Sequence, residues 1–188
     1  SSPEKYNASI EPNRKRLAHI LGVREPRAAS PDIEFLNTLR APGIPGGSNE
    51  RYQAVACRWP AFGDVHGEGM LLVPKRPIAA YVVAIPDADQ TPEMLAGLVE
   101  GVPPESQFAR RLAESGCMVV VPAIINRGVT QRGLSNREFL YRSAFEMGRH
   151  LIGYEVQKTL GAVDALRRVK APSGGKPRVG LMGWGEGG

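Results

Sequence analysis

The chain has 188 residues, a formal net charge of +5 and 42% hydrophobic side chains, enough apolar material for a core and too much for disorder along its whole length. Basic and acidic residues alternate without a long run of either sign, which gives no sign of a nucleic-acid partner. The two cysteines lack CxxC spacing, which excludes a disulfide scaffold and a cysteine zinc site, and no apolar stretch approaches the ~18 residues of a membrane span.

In chain order, residues 1–48 read as an N-terminal extension. Leu17, Ile20 and Leu21 have helical spacing within 13–21, and Gly22 is a C-cap. Pro26 and Pro31 break the next stretch; 33–39 reads as a short strand or helical turn, and 41–48 as a linker. The second region, 49–188, opens with strands at 52–59 and 67–74, an antiparallel hairpin with a longish loop holding Pro60, Gly63 and Asp64. Residues 78–85 form a continuous apolar run, as in a parallel strand buried on both faces. A short helix at most is expected over 94–99, and a helix over 105–115. A second buried strand follows at 117–122, then a polar connection over 123–135. One or two helices span 136–169, interrupted by glycines at 148, 153 and 161, and a third buried strand occupies 178–183. This order predicts an α/β fold whose sheet begins as an antiparallel hairpin and continues as parallel β–α–β–α–β.

The last turn carries the most chemistry. In G-x-S-x-G, small flanking residues allow a sharp strand-to-helix turn that presents the middle side chain, and the next N–H serves as an oxyanion donor. Gly183 and Gly187 supply the flanks, but the middle position is Gly185, which has no nucleophile, and Glu186 would lend its backbone N–H. Gly183, Gly185 and Gly188 also satisfy G-x-G-x-x-G after a strand, a lone dinucleotide-binding match. The plainer reading is that these glycines only make a tight turn.

The hairpin, the strand at 78–85, the helix PPESQFARRLAESGC, the strand MVVVP, the stretch NREFLYRSAFEMGRHLIGYEVQKTLGAVDAL and the elbow VGLMGWGEGG together resemble the N-terminal half of an α/β-hydrolase, of the dienelactone-hydrolase-like and acetyl-xylan-esterase-like kind. The resemblance covers about residues 50–188. It implies a carboxylic-ester hydrolase fold without cofactor or metal, and a nucleophile, an acid and a histidine in chain order. Matched to this chain, the nucleophile position falls on Gly185 and one oxyanion donor on the Glu186 N–H. The second donor falls in the loop at Asp87 or Ala88, and the acid and histidine beyond residue 188. Where esterases often place His-Gly, this sequence reads Pro86-Asp87-Ala88-Asp89, and a carboxylate beside a developing oxyanion repels it. The expectation is therefore a hydrolase-like chain inactive by itself; the alternative is a non-catalytic binding or structural subunit.

Asp87, Asp89 and Glu186 fall at the carboxyl ends of predicted strands, where α/β proteins bind ligands. Together they read as an acid/base or divalent-cation site, or more plainly, for the two aspartates, as turn caps. Arg127 is a candidate partner for these acids or for an anionic substrate, and Trp184 a candidate substrate contact. His150, with Glu146 four residues earlier, reads as a packed or surface histidine, as does His66 beside Glu68. His19 lies in the extension. Cys57 and Cys117 read as small core residues, and Phe139, Tyr141, Phe145 and Tyr154 as a core stripe. Ending in a turn after a buried strand, the chain is expected to need another polypeptide, or the rest of its own precursor, to complete the sheet. The absence of a starting Met is compatible with export and with trimming, so location stays open.

Overall fold

The structure, a computed structural model, describes residues 2–36, 47–170, 174–175 and 177–188. Ser2 accepts the Lys5 N–H at 3.3 Å to start α1 (Pro3–Leu21), and Gly22, at φ +69°, ends it. The helix starts well before the expected residue 13 because Ser2 and Pro3 form an N-terminal signal of their own. β1 (Glu34–Phe35) and β2 (Gly47–Ser48) both pair antiparallel with β3 (Tyr52–Phe62). Gly47 and Ser48 are thus strand, while the rest of the expected linker lies outside the described residues.

β3 and β4 (Val65–Pro74) form the predicted hairpin, joined by Gly63 and Asp64 alone, with Gly63 at φ +50°. The strands run past Pro60, where the register shifts, so the longish loop is replaced by a bulge. A proline without an N–H is tolerated at such a point. β5 (Ala80–Ile85) leads to α2 (Pro92–Leu95). Thr91 caps α2, and Gly97 at φ +69° follows two residues beyond its end, so the helix is earlier and shorter than expected. After α3 (Phe108–Glu114) comes β6 (Cys117–Pro122). The polar connection then holds a small hairpin of β7 (Val129–Gln131) and β8 (Leu134–Ser135). The helical stretch is two helices, α4 (Asn136–Glu146) and α5 (Leu151–Arg168), broken at Gly148 (φ +71°). β9 (Val179–Gly183) follows.

The strand order is β1-β3-β4-β6-β5-β9. β4 meets β6 antiparallel, and β6–β5 and β5–β9 are parallel. This is the α/β arrangement read from the sequence. Val119 and Val121 pack with Leu72, Leu95, Ala109 and Ala113 on one face, while Val120 packs with Trp59, Val83, Ala162 and Leu166 on the other. With helices covering both faces, the strand has no reason to alternate polar and apolar residues.

The aromatic stripe is corrected. Phe139, Tyr141 and Phe145 on α4 are exposed, and only Ala144 of that helix is buried. The break at Gly148 uncouples α4 from the sheet-packed α5, so helical spacing there does not mean core.

The segment before β3 is stitched to α5. His150 N–H donates to the Leu21 carbonyl at 3.1 Å, and the buried Arg149 pairs with Glu25 and donates to the fully buried Gln157. The Arg149 guanidinium lies 4.6 Å from the centroids of both Phe62 and Tyr154. Removing it costs two ring contacts and leaves Gln157 short of a donor. Arg149→Ala is therefore expected to lower stability by about 3 kcal/mol, read from the urea unfolding midpoint. A loss within experimental error would mean that the cluster is dispensable.

Candidate functional site

Three strands deliver their carboxyl ends to one place. β9 lies beside β5 with Gly183 opposite Ile85, and the Trp184 N–H donates to the Ile85 carbonyl at 3.2 Å. The backbone then turns through Gly185 at φ +59° into a single 3₁₀ turn, Gly185–Gly187, closed by the Gly188 N–H on the Gly185 carbonyl at 3.0 Å. A β-carbon at Gly183 would overlap the Gly187 carbonyl oxygen. One at Gly187 would lie 2.5 Å from the Ile85 carbonyl oxygen and 2.6 Å from that of Pro86. The glycines flanking the bend are thus required by backbone crowding.

Asp87 follows β5 and reaches this bend. Its Oδ1 accepts the Glu186 N–H at 2.9 Å. A β-carbon on Gly185 would overlap that oxygen and stand 2.6 Å from Cγ of the same carboxylate. The bend therefore holds no side chain at residue 185 and leaves no room for one while Asp87 stays in place.

Arg127, in the loop after β6, closes the group. Its Nη1 donates to Asp89 Oδ2 at 2.8 Å and Asp87 Oδ2 at 3.4 Å. Its Nη2 donates to Asp87 Oδ1 at 3.2 Å and Glu186 Oε1 at 3.1 Å. Its own N–H donates to Asp89 Oδ1 at 3.2 Å. Asn126 shapes this loop by accepting from the Gly128 N–H at 2.9 Å and the Asn136 side chain at 2.8 Å. The carboxylates read as a candidate cation site converge instead on this guanidinium, which stands where a cation would. Among the described residues, no cluster of His, Cys, Asp and Glu is placed to hold a metal.

Behind it, Arg137 on α4 forms a two-pronged pair with Glu155 of α5, at 2.8 and 3.1 Å, and reaches Glu186 Oε2 at 3.5 Å. The network joins two guanidinium groups to four carboxylates, leaving an excess of negative charge beside the bend. The Glu186 N–H, then the Arg127 side chain, with a contribution from the Ala88 N–H, hold the Asp87 carboxyl down at about 2. The same acids push Arg127 up, and Glu155 pushes Arg137 up.

The network thus gathers Gly185, Glu186, Asp87, Ala88, Asp89 and Arg127. Trp184 stays outside it, with its indole exposed. Arg137 and Glu155 were not singled out by sequence reasoning, since nothing distinguishes them from other charged residues on a helix. His150 does not share a helix face with Glu146: it caps α5, with Nδ1 accepting the Ile152 N–H at 3.1 Å and its ring edge-on to Tyr141 at 5.0 Å. It lines, with Arg127, Arg137, Tyr141 and Glu186, a cleft of about 510 Å³. His66 sits at the hairpin turn and His19 in the last turn of α1. Burial pushes the Cys57 thiol up to about 12 and the Cys117 thiol up as well, and neither cysteine lies at the bend.

A sheet in this strand order, with helices on both faces and a glycine-flanked bend after β9, has the α/β-hydrolase-type fold. Among the solved structures it matches are two described as acetyl xylan esterases. One, a crystal structure from Bacteroides fragilis bearing that name, superposes with a TM-score of 0.70 at 16% identity, covering 100% of this chain and 49% of its own. Another, acetyl xylan esterase 1 from a Thermoanaerobacterium species, gives a TM-score of 0.54 at 12% identity, covering 93% of this chain and 49% of its own. The chain spans about half the length of these structures, and at such identities the likeness is one of fold alone. No protein-family model and no curated protein matches the chain.

Because the folded Asp87 carboxyl titrates near 2, below its ordinary 3.8, its ionised form stabilises the native state. That contribution is complete above about pH 5 and is lost as pH falls from about 4 through 2. Asp87→Asn should remove this part of the acid dependence, so its unfolding midpoint should fall less than that of the wild type between pH 5 and 2. Parallel pH profiles would exclude the assignment.

Proposed function

We propose that this chain is part of an α/β-hydrolase-type protein descended from carboxylic-ester hydrolases, and that it does not hydrolyse esters through its elbow. The observation that carries this reading is Gly185. The resemblance puts the nucleophile at this turn position, where Gly185, in the left-handed region at φ +59°, carries no oxygen or sulfur. Two features support the reading. The Glu186 N–H, the first candidate oxyanion donor, is already engaged by Asp87. The surplus of carboxylates around Arg127 and Arg137 would oppose a developing oxyanion.

A second reading, a non-catalytic binding or structural subunit, is favoured by the cleft beside the network. Arg127, Arg137 and Glu186 supply polar groups there, and Tyr141 and Ile152 supply apolar surface. Dinucleotide binding through Gly183, Gly185 and Gly188 is disfavoured, because a pyrophosphate at the turn would meet the Asp87 carboxylate.

We also propose that further polypeptide of a longer chain pairs with the outer edge of β9. Among the described residues this strand pairs with β5 alone, and Leu181, Met182 and Trp184 are exposed. The chain alone should then self-associate on size-exclusion chromatography, and a stable 20 kDa monomer would count against the idea.

For the elbow, purified protein should hydrolyse a short-chain aryl ester no faster than buffer and should not be labelled by a serine-directed phosphonate. Turnover that the phosphonate abolishes would overturn the reading.

A further inference from the structure

We propose that Asp87 is a built-in ligand of the elbow, its carboxylate filling a seat for a small monocarboxylate anion that opens when the side chain is removed. The seat consists of the Glu186 N–H, 2.9 Å from Oδ1, and the Arg127 fork, whose Nη2 lies 3.2 Å from Oδ1 and Nη1 3.4 Å from Oδ2. A guanidinium fork with a converging backbone N–H is the donor set that carboxylates select. The missing β-carbon of Gly185 makes the space, since one there would overlap Oδ1. Asp87 is one of several partners that hold Arg127. Asp89 holds both its backbone N–H and its Nη1, and Glu186 accepts from Nη2. Taking away the Asp87 side chain therefore leaves the donors aimed at a space of about the size of acetate.

The Glu186 N–H, marked from the sequence as one oxyanion donor, and the Ala88 N–H, one of the two alternatives given for the second, both act on this one carboxylate. In the wild type the elbow is closed to an incoming carbonyl or carboxylate oxygen by its own side chain. The functional meaning of this closure rests on the reading that the elbow is not catalytic, whereas the anion seat itself does not, and its test involves no ester turnover. Either can fail alone.

The test compares wild type, Asp87→Ala and Asp87→Asn at pH 7 in sodium acetate and in sodium chloride of equal ionic strength. Thermal unfolding and saturation transfer to acetate are the readouts. Asp87→Ala should gain about 3 °C in 0.1 M acetate over chloride and show saturation transfer. Wild type and Asp87→Asn, whose seat stays filled, should do neither. Adding Arg127→Gln to Asp87→Ala should abolish the gain. If Asp87→Ala does not fold in chloride, folding restored by acetate supports the proposal. Equal behaviour in the two salts, or a gain that survives Arg127→Gln, overturns it.

Discussion

A single carboxylate ties the ends of the parallel strands together. Asp87 leaves β5, binds the backbone of the bend after β9 and receives the guanidinium delivered by the loop after β6. Its side chain is only partly exposed, so the attraction is screened less than between free surface ions. Hydrogen bonds from a fixed N–H and a fixed fork add direction that a point charge lacks. Backbone at 185, carboxylate at 87 and guanidinium at 127 are consequently one unit: a side chain at residue 185 would expel Asp87, and without Asp87 the donors would face an empty space.

The surrounding fold makes this unit permissible. A β-carbon at Gly183 or Gly187 would collide with backbone carbonyl oxygens, so the sharp turn requires glycine at both positions whatever stands between them. In this respect the fold and its chemistry are separable: the sheet sets where a group is presented, and the side chain alone decides whether it can attack a carbonyl. Here residue 185 offers only hydrogen, and the nearest acid, Asp87, engages the Glu186 N–H and the Arg127 guanidinium.

Arg137 and Glu155 extend the unit into the helical layer. Their pair is mostly buried, and Glu155 also accepts the Ile125 N–H at 3.4 Å while Arg137 donates to the Ile125 carbonyl at 2.9 Å. The loop carrying Arg127 is thereby fixed to α4 and α5. On the other side, α5 is anchored through Arg149 to Glu25 and to the rings of Phe62 and Tyr154. A path of packed and paired side chains thus runs from the N-terminal segment to the bend.

Local signals carried a large part of this. The apolar runs that became β5, β6 and β9, the hairpin and the small residues at the bend depend on neighbours a few positions away, so the amino-acid sequence by itself determined them. It also marked Asp87, Asp89, Arg127 and Glu186 as charges at strand ends. It left open whether these would bind a cation, cap turns or pair with one another, because Arg127 lies 40 residues from Asp87, and Asp87 lies 99 from Glu186. The same limit hid Arg137 and Glu155, made α4 look like core, and placed His150 within a helix instead of at its cap. Side chains so far apart along the chain meet only once the sheet has set its strand order, and so tertiary structure alone decided that the carboxylates would close on a guanidinium and that one of them would bind the backbone of the bend.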